Sequence, residues 1–227
     1  VLAKKKKLTR KEIKEDKLVT SFYEAQEFYK KYQKQILIAV GVIAAIVIAV
    51  IVYNNKIADE NQQAATALSR IMPSYKSGNY KEAIEGKPGT NVIGLRQIVE
   101  NYGGSEEGEV ARIFLAHSYY MLGKYQQALK EYEDYSGSID LFRSTAFAGA
   151  GACYEALGDN EKAADKFREA AFVTKDNPQN AGYLLEAGID YRSIGKAEKA
   201  KKYFRIIKKE YSKTDVGKKI DQYLESF

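Results

Sequence analysis

Apolar and polar positions follow three different rhythms along this 227-residue chain, and each rhythm predicts a different element. From Ile36 to Val52 seventeen residues in succession are apolar, and Tyr53 followed by Asn54-Asn55-Lys56 closes the run. At about 1.5 Å per residue the run with its Tyr is about 27 Å long, enough for the hydrocarbon core of a bilayer with modest help from its flanks. It reads as an uncleaved transmembrane anchor. A signal peptide has a shorter leader and small residues at its cleavage site, whereas here 35 residues precede the run and bulky Ile51, Val52 and Tyr53 end it. A soluble domain of this size also seldom needs a helix that is apolar on every face. Ahead of the run, Leu8 to Gln35 lacks Gly and Pro and sets Ile13, Leu18, Val19, Phe22, Tyr23, Phe28, Tyr29 and Tyr32 among charges, which predicts one amphipathic helix. Beyond it, apolar residues recur at i, i+3, i+4 and i+7, and Ala, Glu and Lys are abundant, so the remaining domain is predicted to be all-α.

Charge adds an orientation. Residues 1–35 hold eleven Lys and Arg against five Asp and Glu, while Tyr53 to Tyr75 hold only Lys56 and Arg70. The basic flank of a single span stays on the cytoplasmic side, so the N-terminus is expected in the cytoplasm and the large domain outside it. The surplus of +6 in the leader equals the net charge of the whole chain, which leaves the rest balanced. A nucleic-acid-binding domain carries its positive charge where it docks, and here that charge sits beside the membrane, so nucleic acid is not an expected partner. The cluster Lys4, Lys5, Lys6 and Lys7 is placed to contact anionic lipid, each charge adding about 1 kcal/mol near such a surface. The leader's apolar positions can lie in the headgroup plane or against a cytoplasmic partner, or the leader can serve only to set topology; the residues leave these readings open.

The helical part repeats itself. Three segments align on a glycine: Ala116, Tyr119, Gly123, Ala128, Tyr132; then Gly151, Tyr154, Gly158, Ala163, Phe167; then Gly188, Tyr191, Gly195, Ala200, Phe204. In each, a small residue lets two antiparallel helices approach, a Tyr fills the gap, the second glycine turns the chain in the left-handed region, and Ala with its aromatic lies on one face of the second helix. Ala58 to Ser77 followed by Gly78-x-Tyr80-x2-Ala83 looks like a degenerate copy, with Pro73 expected to kink its first helix or force a restart. Gly86-Lys-Pro-Gly-Thr reads as a loop before a helix over Val92 to Tyr102, and Asp215 to Phe227 as a helix that caps the stack. These breaks divide the chain into a basic cytoplasmic segment (1–35), the anchor (36–53), a degenerate repeat with linking helices (54–108), and three repeats with a capping helix (109–227). The pattern resembles the tetratricopeptide repeat family, which implies a helical solenoid behind a single N-terminal transmembrane helix.

Candidate chemistry is sparse. The chain has one His and one Cys; His117 stands beside no expected acid or nucleophile, and Cys153 lies among small residues on a helix as a buried packing residue. Gly103-Gly104 precedes Ser105-Glu106-Glu107, an acidic helix start that repels a phosphate. No catalysis, cofactor, metal or small-molecule substrate is therefore expected. The family resemblance implies instead a concave groove lined by the first helix of each repeat. By position it presents Val110, Ile113, His117, Tyr120 and Met121, then Thr145, Ala148, Ala152, Glu155 and Ala156, then Gly182, Leu185, Ile189, Arg192 and Ser193. Such a mostly apolar groove suits an apolar helix or unfolded segment, or it is filled by the chain's own terminal helix. It lacks the basic groups with which chaperone-docking members hold a peptide carboxylate, Arg192 being essentially the only one.

In architecture, with a basic leader, one span and repeats on the outer side, the chain looks like the bacterial family of ancillary subunits of the SecYEG translocon. That resemblance implies an inner-membrane platform that assists exported polypeptides and periplasmic chaperones. Two alternatives are a structural subunit of another inner-membrane complex, respiratory, photosynthetic or envelope, and an accessory to an envelope enzyme.

Overall fold

The computed structural model describes residues 10–225, with side chains from Val19 onward. Among these residues no strand forms; one isolated antiparallel bridge joins Gly86 to Ile93, and ten helices account for most of the rest. The first, α1, covers Arg10–Lys76. Contacts divide the chain into two compact units, Val1–Asn55 and Lys56–Phe227.

In the first unit, α1 carries the apolar run as helix, and the side chains of Leu37 through Val52 are all exposed. This is one helix long and apolar enough to cross a membrane, with none of its most apolar window buried by protein. Exposed branched side chains in that number are unfavourable in water and at home in lipid, which makes the element compatible with a single-pass anchor. Val19, Phe22, Tyr23, Phe28 and Tyr29 in the leader are exposed as well. The side chains of Ile13 and Leu18, and all of Lys4 to Lys7, lie outside the described residues.

The second unit is a succession of packed helices. After the end of α1 come α2 (Tyr80–Glu85), α3 (Leu95–Tyr102), α4 (Glu106–Met121) and α5 (Tyr125–Glu133). They are followed by α6 (Asp140–Ala156), α7 (Asn160–Phe172), α8 (Asn180–Ser193), α9 (Ala197–Glu210) and α10 (Asp215–Leu224). Each helix from α3 to α10 packs against the next; in addition α2 packs on α4, α4 on α6, and α10 on α8.

Four glycines make the same turn. Gly78, Gly123, Gly158 and Gly195 have φ of 79°, 70°, 84° and 76°, where a Cβ is strained. In every case the amide after the glycine donates to the carbonyl four residues before it: Asn79 to Ser74, Lys124 to Tyr119, Asp159 to Tyr154 and Lys196 to Tyr191, all at 2.8–2.9 Å. The glycine's own amide donates to the carbonyl three residues before it, so two otherwise unpaired carbonyls at each helix end are satisfied.

Between the turns, small residues face rings. A methyl on Gly188 would overlap the ring of Phe204, and one on Gly151 would stand 3.1 Å from that of Phe167. Ala128, Tyr132, Ala163, Phe167, Ala200 and Phe204 are all buried, as are Tyr119 and Tyr191. Each fully buried ring stabilises the stack by roughly 2 to 3 kcal/mol. Tyr154, the equivalent of Tyr119, is only half-buried and donates its hydroxyl to Glu133 at 2.8 Å. The hairpin α4–α5 is also clasped by charge. Arg112 donates to Glu109 at 3.0 Å and to Glu131 at 3.1 Å, and the other oxygen of Glu109 accepts the amide of Ser136 at 2.6 Å.

The helix boundaries sharpen the expectation at two places and differ from it at α3. α1 does not restart at Pro73 but continues to Lys76, and the Pro73 carbonyl still accepts the Ser77 amide at 3.0 Å. α3 begins at Leu95 rather than Val92, because the carbonyl of Val92 takes the amide of Lys87 at 3.0 Å and Ile93 pairs with Gly86, which holds both residues extended. α10 starts where Thr214 caps it by accepting the Gly217 amide at 3.0 Å, and its described part ends at Leu224.

Candidate functional site

The residues expected to line one open groove have three different fates. On α4, Val110 and Ile113 are part of the first core, Ile113 with 5% of its surface exposed, so neither is free to meet a partner. His117 is half-buried: its Nδ1 lies 2.9 Å from the Tyr75 hydroxyl, and the rings of Tyr75 and Tyr80 meet it edge-on. Burial pushes the imidazole below its ordinary range, so it is neutral near pH 7. Tyr120 is half-buried against Tyr125, with ring centroids 5.4 Å apart, and Met121 is exposed. The end of α1 and the short α2 therefore close this stretch, because their aromatics reach the face that repeat counting assigns to a ligand.

At the other end α10 does the covering. Leu185 and Ile189 are half-buried in the last core cluster together with Tyr223 and Leu224, and the Arg192 guanidinium lies 5.7 Å from the centre of the Tyr223 ring. The terminal helix α10 thus packs on α8 and α9 at this end.

The middle stretch is mixed. Ala148 and Ala152 of α6 are half-buried small residues, and Glu155, one turn further, is exposed. Facing them on α8 are Glu186, half-buried, and Asp190, with 3% of its surface exposed. One Asp190 oxygen, Oδ2, is buried and accepts no hydrogen bond. Burial, reinforced by the fields of Glu155 and Glu186, pushes its carboxyl up to about 7. Burial and then Glu155 raise Glu186 as well. The face expected to be mostly apolar thus carries three carboxylates, Glu155, Glu186 and Asp190. Glu186 and Asp190 were missed although their spacing was visible: carboxylates four apart on a helix share a face and repel. Position within the repeat drew attention to the face above them.

Other groups offer little chemistry. Cys153 is fully buried, and its thiol is pushed up to about 12 by burial and by Glu133. Among the described residues no three His, Cys, Asp or Glu side chains come close enough to hold a metal ion. Within the second unit an open cleft of about 410 Å³ between α1 and α3 is lined by polar groups including Asp59, Gln62, Thr66 and Arg70. No protein-family model matches the chain and no curated protein matches it, so any reading of its function rests on the residues themselves.

Proposed function

We propose that this chain is a non-catalytic platform for protein partners, a tetratricopeptide-repeat stack tethered to a bacterial inner membrane by Ile36–Tyr53. The leader is cytoplasmic and the repeats lie on the periplasmic or extracytoplasmic side. The observation that carries the platform reading is a succession of packed helices that leaves large apolar side chains such as Met121, Leu141 and Phe172 exposed, with no metal-holding cluster among the described residues. The repeat assignment is supported by four glycine turns with one hydrogen-bond pattern and by the contacts of Gly151 with Phe167 and of Gly188 with Phe204. Order of parts supports the finer reading, an ancillary role beside the SecYEG translocon in passing exported polypeptides to periplasmic chaperones.

A second reading, a fixed structural subunit of another inner-membrane complex, is favoured by Phe172 and Leu141, large apolar side chains exposed at 59% and 52% on the α6–α7 hairpin. One experiment separates the two. A photo-crosslinking amino acid at Ala152 and, separately, at Phe172 of the full chain is activated in native membranes and the adducts are identified by mass spectrometry. Translocon subunits, chaperones and varied exported polypeptides joined at Ala152 support the platform. A single complex in fixed ratio joined at Phe172, with nothing at Ala152, supports the structural subunit.

A further inference from the structure

The even balance of charge beyond the leader is made of two opposite parts. Residues 56–195 hold fifteen Lys and Arg against twenty Asp and Glu, whereas residues 196–227 hold ten against five. The stack is acidic along most of its length and basic where α9 and α10 end it.

On α9 the surplus is gathered on one face. Lys199, Lys202, Arg205 and Lys209 are all exposed and stand three, three and four residues apart, a row about 15 Å long on the side opposite buried Ala200, Tyr203, Phe204 and Ile207. Among the described residues no ion pair engages any of the four. Cations beside the row are neutralised: Lys196 by Glu161, Lys201 by Glu198, Lys208 by Asp221 and Lys218 by Asp215. Two of the four are also held in place. The Lys199 ammonium lies 4.8 Å from the centre of the Tyr191 ring and the Lys202 ammonium 5.8 Å from that of Tyr203, and these rings stack with centroids 5.7 Å apart. Like charges one turn apart repel and weaken the helix that carries them, so a string of anions would relieve a cost that the fold leaves standing.

The shape of the unpaired charge selects the anion. With its flank neutralised the row is a strip, and an anionic bilayer presents a plane. A single nucleic-acid strand is also a strip, but it docks by stacking its bases on exposed rings, and Tyr191 and Tyr203 are buried beneath the row. An acidic helix offers what the row lacks, one carboxylate for each turn. We propose that the outward face of α9 docks an acidic helical segment of a partner polypeptide, whose carboxylates meet Lys199, Lys202, Arg205 and Lys209 in turn. This rests on the platform reading and gives its partner a chemistry: carboxylates along one face of a helix, with no apolar anchor on that face.

The test uses the full chain in nanodiscs of zwitterionic phosphatidylcholine. The probes are fluorescein-labelled Ala-rich peptides of about 18 residues, long enough to be partly helical when free, with Glu, Gln or Lys at successive turns of one face. Fluorescence anisotropy at low ionic strength is expected to give Glu binding about tenfold or more tighter than Gln, an advantage that fades in about 1 M salt. Lys202→Gln combined with Arg205→Gln is expected to cut the preference to about threefold or less, and Lys202→Glu with Arg205→Glu to make the Lys peptide the tighter ligand. Lys124→Gln with Lys130→Gln, beside α5, removes the same charge elsewhere and is expected to change nothing. All of these side chains are exposed, which keeps the fold out of the comparison. Equal binding of the Glu and Gln peptides, a Glu preference that survives K202Q with R205Q, or an equal loss in the α5 control overturns the proposal. So does displacement of the Glu peptide by a single-stranded oligonucleotide, or by phosphatidylglycerol vesicles, at a lower charge concentration than unlabelled Glu peptide needs, since the face would then belong to nucleic acid or to lipid. Partners crosslinked at Ala152 in native membranes, with Glu and Gln peptides bound alike, sink the α9 reading and leave the platform standing. Glu-selective binding with no native crosslinks sinks the platform and leaves the basic face.

Discussion

Two carboxylates in the stack are buried to the same degree and live under opposite conditions. Glu109 on α4 exposes 4% of its surface and Asp190 on α8 exposes 3%. Both oxygens of Glu109 are taken, one by Arg112 and one by the Ser136 amide, so its charge fastens α4 to α5 and to the loop beyond. Asp190 has a buried oxygen with no donor and two carboxylates for neighbours. The difference teaches that burial alone does not assign a role. A charge that the fold has paired holds the fold; a buried carboxyl left without a donor weakens it and is driven to take up a proton.

The comparison is broken most severely by removing the shared cation. Arg112→Met leaves Glu109 and Glu131 buried and unpaired, and is expected to destabilise the second unit by about 3 kcal/mol, read as an earlier loss of helical circular dichroism on denaturation of the full chain in nanodiscs. Adding Glu109→Gln to that variant is expected to restore roughly half of the loss, as a double-mutant cycle would record. Asp190→Asn is expected to have the opposite sign, stabilising the protein by about 1 to 2 kcal/mol at pH 8. The pH dependence follows from the direction of its shift. The folded-state value, about 7, lies above the ordinary carboxylate value near 4. The folded chain therefore holds a proton that the unfolded chain has lost between those pH values. The stability tied to Asp190 is complete below about pH 4 and is lost as pH rises to about 7. The advantage of D190N over the parent should accordingly shrink towards zero at pH 4; an advantage that does not vary with pH contradicts the account. The smallest effect belongs to Glu155→Gln. Removing this exposed charge is expected to lower the Asp190 titration midpoint by under about one pH unit, since burial remains the main cause.

Legibility in the sequence followed the range of the forces. The glycine turns at Gly78, Gly123, Gly158 and Gly195 were readable because the left-handed backbone is a local demand that leaves few residue choices. The close approach at Gly188 and Gly151 was readable because a small residue recurs at one spacing, but the ring expected in the gap was the Tyr, whereas Phe204 and Phe167 are the rings that meet them. Helicity of the apolar run was readable from its length and uniformity. The state of the groove was not. Closure of its first part rests on Tyr75 reaching His117 across 42 residues, and closure of its last part on Tyr223 turning back onto Arg192. Neither contact leaves a periodic mark. The start of α3 was misplaced because Val92 and Ile93 look helical by pattern, while a backbone pairing with Lys87 and Gly86 keeps them extended.

Cys153 has a practical consequence. Its sulfur is sealed in the first core, and its thiol stays protonated far above neutral pH, so it presents no thiolate to an alkylating reagent while the domain is folded. Cys153 is therefore a silent background for labelling. A cysteine introduced at Asn55 or at Glu24 can be challenged with a membrane-impermeant maleimide on intact cells and on inverted vesicles, without first removing a native residue. The side of the membrane on which each flank resides then becomes a yes-or-no band shift on a gel.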